Sequence, residues 1–275
     1  MTNESIDSIP PVARSFSWPA GPNGVVIIHG YGGTIADYRH FADYLHQRGL
    51  STWGLRLTGH NKSLTELAAS HITDWQRNVD AAVAEAKQNC STVILVGASF
   101  GAALAIDYTV RQPDNIQGLM IVNLPVGYGR FSVLVRGLLK IIGLFKPNLS
   151  KFGLSTAERQ LYHQTGSSLA WPISGLLATD HFIIKSAIPA LKSVKCPVLV
   201  VMNNRDPYVD QHSEKIIIGR LKTSRYRLVK LPERGHRPFR SAVSTKLMAE
   251  QLINYFIETS ALPINGKNVK VNKAA

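Results

Sequence analysis

The segment TVILVGASFGAALAIDY, residues 92–108, leaves the chain little conformational choice. Val93 to Val96 are aliphatic and mostly β-branched with no polar alternation, the pattern of a strand covered on both faces within a parallel sheet. From Ala102 onward, small and apolar residues read as helix. Ser99 therefore falls in a strand-to-helix turn too tight for a relaxed loop, with Gly97 and Gly101 two residues to either side. Residues without a Cβ are what such a turn needs, and it presents the serine hydroxyl at the C-terminal edge of the sheet.

The rest of the chain repeats this alternation of short apolar runs with longer amphipathic ones. GVVIIHG at 24–30 reads as a strand, and IADYRHFADYLHQRG as a helix with Tyr38, Phe41 and Leu45 on one face and Gly49 as its stop. STWGLRL is the next strand. TDWQRNVDAAVAEAKQN follows as a helix capped by Thr73 or Asp74. GLMIVN, CPVLVVMN and YRLVKL are further strands, with helices from about residues 210 and 240. The expected fold is α/β, a mainly parallel central sheet with helices on both faces. Residues 124–192 break the pattern and are expected to form an inserted helical cap between core segments 1–123 and 193–262. The remainder, 263–275, carries Lys267, Lys270 and Lys273 and reads as a solvated basic tail.

A chain of 275 residues, 45% hydrophobic and 18% charged, can bury one large core. Its two cysteines, Cys90 and Cys196, are too few and too scattered for a disulfide framework or a metal site. The first residues, MTNESIDSIP, have neither the basic nor the apolar region of a secretory leader, and no apolar run approaches the ~20 residues needed to span a bilayer. A cytoplasmic protein, free or peripheral to a membrane, is expected. The net charge of +13 attracts anions in general, but no zinc-finger spacing, RNP strand or GXXG loop accompanies it, so a specific nucleic-acid partner is not expected.

A serine hydroxyl needs a base, an acid that orients that base, and donors for the oxyanion it generates. In LPERGHRPF, His236 follows a strand and can reach back over the sheet edge; it is the best placed of nine histidines. In VLVVMNNRDPYVD, Asp206 stands four residues beyond its strand, with Asp210 as the alternative acid. The order Ser99, Asp206, His236 is one of the known chain orders of a serine triad. The backbone N–H groups of Phe100 and Tyr31 are the candidate oxyanion donors. His29 and His60 read as structural. Alone, Asp206 is an ordinary turn residue before Pro207 and His236 an ordinary loop residue; their conjunction at the ends of separate strands carries the reading. No cofactor and no metal is implied.

The stretches IIHGYGGT, GLRLTGHNKS, DWQRNVDAA, LVGASFGA, VLVVMNNRDPYVD and ERGHRPF together resemble the monoacylglycerol lipase and bacterial carboxylesterase branch of the α/β-hydrolases over about residues 24–260, most of the cap excepted. The resemblance implies Ser99 as nucleophile, Asp206 and His236 as its partners, and the Tyr31 and Phe100 amides as the oxyanion hole. Serine at 99 sets the chain apart from members with an aspartate nucleophile. Ala98 and Phe100 stand where histidine, glutamine or methionine is more usual. The expected function is a serine hydrolase acting on small-molecule carboxylic esters of apolar acyl groups. A thioesterase or acyltransferase with the same triad is the alternative, and a non-catalytic ligand-binding protein on the same fold a further one.

Within the cap, RFSVLVRGLLKIIGLFK sets Ser132, Arg136, Lys140 and Gly143 at helical spacing on one narrow stripe, and no acidic residue occurs from Asn115 to Ala157. Arg130, Lys146 and Lys151 add to the positive charge. Two placements follow: a helix lining an acyl pocket, or one in a lipid interface with its basic stripe toward anionic headgroups.

Overall fold

The computed structural model describes residues 9–126, 132–151, 154–209 and 211–262. The basic tail, Arg130 and Asp210 lie outside the described residues. Seven strands form one sheet: β1 (Phe16–Trp18), β2 (Asn23–Ile28), β3 (Ser51–Leu55), β4 (Thr92–Ala98), β5 (Gly118–Val122), β8 (Val198–Arg205) and β9 (Tyr226–Arg234). Their order is β1-β3-β2-β4-β5-β8-β9, with β1 antiparallel to β3 and every other pairing parallel. The mainly parallel sheet with helices on both faces is thus observed. Every residue of β2 and β4 is buried, as their unbroken apolar runs require.

Two apolar layers sandwich the sheet. One is built around Phe41 of α1 (Arg39–His46) and Met248, Leu252 and Phe256 of α10 (Ala242–Glu258). The other is built around Trp75 and Val79 of α3 (Ile72–Asn89), Phe100 and Leu104 of α4 (Phe100–Arg111) and Ile217 of α9 (Gln211–Arg220). Helix α3 follows the short α2 (Leu64–Ala68) and begins two or three residues earlier than its sequence suggests. His71, not Thr73 or Asp74, occupies the cap, and the Asp74 carboxylate accepts the His71 N–H at 2.9 Å, a task open to the third residue of a helix.

Between β5 and β8 the chain forms α5 (Ser132–Phe145), the hairpin β6 (Asn148–Ser150) and β7 (Ala170–Pro172), α6 (Thr156–Gln164) between those strands, and α7 (Ile173–Phe182). A π-helical turn, Ile183–Ala187, joins α7 to α8 (Ile188–Ala190). Helix α5 turns only part of its basic stripe outward, at the exposed Lys140. Arg136 is ion-paired with Asp180 of α7, Val135 and Leu139 face an interior cavity, and the open face carries Leu134, Leu138, Ile141, Leu144 and Phe145, the last two 80% and 86% exposed. A buried-side carboxylate recruits the arginine, which leaves the leucines outside.

Candidate active site

Ser99 caps α4 with φ 53° and ψ −124°, a left-handed conformation that a side chain seldom adopts. Two close approaches enforce it. A Cβ on Gly97 would lie 2.4 Å from the Gly101 carbonyl oxygen, and one on Gly101 would lie 2.3 Å from that of Ile28. The helix start therefore presses directly on β2 and β4, while the Ser99 N–H donates to Val122 O at 2.8 Å. The Phe100 N–H belongs to the first turn of α4, whose amides have no partner within the helix.

Strand β8 runs to Arg205, so Asp206 follows it immediately; the four-residue gap expected from sequence is absent because the polar Asn203 and Arg205 continue the ladder across a bulge. The Asp206 carboxylate has no exposed surface. One oxygen accepts the Tyr208 N–H at 2.8 Å and the other lies 2.6 Å from His236 Nδ1. The His236 loop turns at Gly235, with φ 93°, whose carbonyl accepts from Asn203 Nδ2 at 2.6 Å and whose N–H reaches Arg205 O. Asn123 Oδ1 in turn accepts the Asn203 N–H, so one polar chain links the ends of β5, β8 and β9. The Tyr208 ring packs edge-on against His236 at 5.1 Å.

The loop after β2 is fastened from behind by two buried imidazoles. His29 Nε2 accepts the Leu57 N–H and its Nδ1 meets Gly30 O at 2.9 Å; His60 Nε2 accepts the Gly32 N–H at 3.0 Å and its Nδ1 meets Thr58 O. Both rings are therefore neutral, with the proton on Nδ1. Burial drives the His29 pKa down to about 4 and puts that of His60 well below the usual imidazole value, where the neighbouring His29 lowers it further. The structural reading of both is consistent with these bonds. Between them the Tyr31 ring stacks edge-on against His60 and Trp75 and its hydroxyl donates to Pro172 O.

Ser99, Phe100, Tyr31, Gly30 and His236 all line one cavity of about 940 Å³. Its apolar wall comes from Pro125, Val135, Leu139, Leu176 and Ile183. Its opposite wall is charged, with Asp37, Lys151, Glu158, Arg237 and Arg240 around Tyr162. This charged wall was not read from the sequence; the arginines of HRPFR were the available signal. Among the described residues, no group of three or more His, Cys, Asp or Glu could hold a metal ion.

A seven-stranded sheet with a strained serine at the end of a central strand and a histidine–aspartate pair on later strand ends defines an α/β-hydrolase. The chain belongs to the family described as serine aminopeptidase, S33, whose model matches residues 22–241. It is 23% identical over 224 residues to the thermostable monoacylglycerol lipase of Bacillus sp. (strain H-257), covering 82% of this chain and 86% of that protein. It is 25% identical over 228 residues to a carboxylesterase of Bacillus subtilis (strain 168), covering 81% and 88%. A solved structure reported for the metagenome-derived lipolytic enzymes LipS and LipT superposes with a TM-score of 0.78 at 23% identity, covering 91% of this chain and 99% of that one, and shows the shared fold.

Proposed function

We propose that the protein is a serine hydrolase that cleaves carboxylic esters of apolar acyl groups through a Ser99–His236–Asp206 triad. The observation that carries the proposal is that Ser99, in its strained left-handed turn, shares a cavity with an imidazole whose Nδ1 is held at 2.6 Å by a fully buried carboxylate. With Nδ1–H donating to Asp206, the Nε2 lone pair of His236 is the base. It takes the Ser99 proton as Oγ attacks the ester carbonyl carbon, and the oxyanion is received by the Tyr31 and Phe100 N–H groups. Collapse of this intermediate breaks the bond to the alkoxy oxygen, which leaves with the proton from His236. Water, deprotonated by the same base, then releases the acid from the acyl-enzyme.

Pro125, Val135, Leu139, Leu176 and Ile183 make the acyl wall, and the segment between β5 and β8 acts as the cap. Exclusion of water by this wall strengthens every electrostatic interaction inside the cavity. A fluorophosphonate probe should label the protein at Ser99 and not label Ser99→Ala. Absence of labelling in the wild type, with the fold intact, would favour a ligand-binding protein, and faster turnover of matched thioesters than of oxyesters would favour the thioesterase reading.

A second reading concerns where the enzyme works. The outward face of α5 is apolar over Leu134, Leu138, Ile141, Leu144 and Phe145, with Lys140 and Lys146 exposed beside it. Such a face suits peripheral contact with a lipid surface, the leucines entering the interface and the lysines meeting anionic headgroups. No described helix is long and apolar enough to cross a membrane.

A further inference from the structure

The charged wall of the cavity is out of character for a site that takes only neutral esters. Three cationic side chains converge on one ring there: Lys151 Nζ lies 4.6 Å from the centre of Tyr162, and the guanidinium carbons of Arg237 and Arg240 lie 4.4 and 5.1 Å from it. Their acidic partners are already committed. Asp37 is shared between both arginines, at 3.5 Å from Arg237 Nη1 and 2.9 Å from Arg240 Nε. Glu158 spends one carboxylate oxygen on the Ser155 N–H and hydroxyl at the start of α6. Two guanidiniums and one buried lysine thus face two carboxylates.

Polar capacity is left over as well. Among the described residues, Arg240 Nη2 is buried without a hydrogen-bond partner, and the buried Arg237 Nη1 has its 3.5 Å ion pair with Asp37 but no hydrogen bond. Lys151 is 5% exposed and uses one N–H on Gly32 O at 2.8 Å, although an ammonium has three to donate. Burial, with Arg237 next in weight, pushes the Lys151 ammonium down to about 6. An anion placed there would reverse that penalty and recharge the lysine. A wall that needed only to pack would place apolar side chains here, since a partly satisfied buried ionic cluster is costly.

Position decides which part of a substrate the wall meets. Arg237 directly follows His236 and Arg240 is three residues further on, so both guanidiniums are carried by the segment that holds the base. The apolar residues of α5 and α7 form the other wall. We infer that Lys151, Arg237 and Arg240 form an oxyanion-group subsite, and that the preferred substrate is an amphiphilic ester whose alcohol portion carries a phosphate or a carboxylate. The inference rests on the ester-hydrolase reading for its substrate and on the cavity alone for its anion.

Two measurements separate those foundations. In the first, hydrolysis is followed for three decanoyl esters, those of glycerol, glycerol phosphate and glyceric acid. The phosphate or the carboxylate ester should exceed the glycerol ester in kcat/KM by about ten-fold or more, the scale of charge-assisted hydrogen bonds. Whichever of the two leads identifies the anion. In Arg240→Gln and Lys151→Met that ratio should fall toward one, while Arg240→Lys, which keeps the charge, should retain most of it. In the second, decyl phosphate and the neutral decyl glycerol ether are titrated calorimetrically into Ser99→Ala protein, where turnover plays no part; only the former should weaken about ten-fold on adding Lys151→Met. If the neutral ester is cleaved as fast as both anionic ones, the subsite is refuted and the esterase stands. If no ester is cleaved but decyl phosphate binds through Lys151, the esterase reading fails and the subsite stands. Equal affinity for the phosphate and the ether refutes the subsite whatever the chemistry.

Discussion

His236 Nδ1 and Asp206 Oδ2 are 2.6 Å apart, and the aspartate side chain is wholly buried while the histidine keeps one edge toward the cavity. A carboxylate so placed orients the imidazole and stabilises its charged form as the proton leaves serine. Ser99→Ala and His236→Ala should each lower kcat by about 10⁴-fold or more, and Asp206→Asn nearly as much, because triad members act as a unit. Steady-state hydrolysis of a short-chain ester, with circular dichroism to verify folding, checks this. Greater damage from Asp210→Asn than from Asp206→Asn would transfer the acid's role to residue 210.

The glycines beside Ser99 make a stability prediction. A methyl group on Gly101 would enter the space of the Ile28 and His29 backbone carbonyls, at 2.3 and 2.6 Å, where nothing flexible can yield. Gly101→Ala should therefore cost about 1–3 kcal/mol or more in chemical denaturation and reduce activity by displacing the serine. Gly137→Ala on α5, where an added Cβ meets nothing within 4 Å, is the control and should be neutral or slightly stabilising, since alanine favours helix.

Acid should unfasten the loop after β2. His29 is neutral when folded, with a pKa near 4, and has an ordinary imidazole value near 6.5 when unfolded. The unfolded chain thus binds the extra proton first. Stability is complete above about pH 6.5 and is lost as pH falls toward 4, by an amount on the order of 3 kcal/mol for this ring alone. His60 pulls in the same direction. Urea midpoints measured from pH 7 to 4.5 should fall, and His60→Gln, which can keep an acceptor for the Gly32 N–H, should flatten the dependence. An unchanged slope in that variant would assign the acid sensitivity elsewhere.

Much of the fold was legible because burial on both faces leaves an unmistakable mark: VVII and VILV can be little else than central strands of a parallel sheet. The Ser99 turn was legible for a related reason, since two glycines around a serine at a strand end describe a steric problem and its solution. What escaped was decided by partners distant in sequence. The edge strand Phe16–Trp18 is short and half-exposed, and only β3 makes it a strand. The extension of β8 to Arg205 depends on a bulge against β9. The charged wall joins Asp37, Lys151 and Arg240, more than 200 positions apart at the extremes, and no local period records it.

The orientation of α5 gives the last prediction. The sequence allows this helix to line an acyl pocket or to lie in a lipid interface with its basic stripe toward headgroups; in the structure Arg136 is held inward by Asp180 while Leu134, Leu138 and Leu144 face out. Lipid contact, on this geometry, rests mainly on apolar insertion, with the exposed Lys140 and Lys146 adding a salt-sensitive share as the Debye length falls from ~10 Å at 0.1 M to ~3 Å at 1 M. Phe145→Ser and Leu138→Ser should each weaken co-sedimentation with phosphatidylglycerol-containing vesicles by roughly ten-fold, in keeping with the burial of one large apolar side chain. Lys140→Glu with Lys146→Glu should lower it further in dilute salt and have little effect at 1 M. Arg136 is left intact in these variants, since reversing its charge would break the Asp180 pair and disturb the cavity wall at once. Hydrolysis of a soluble short-chain ester should stay near wild type throughout, because the substituted side chains point away from the cavity. Vesicle partitioning that survives both apolar substitutions would overturn the lipid-facing role of α5 and leave the helix with its inner face, Val135 and Leu139, as its sole contribution to function.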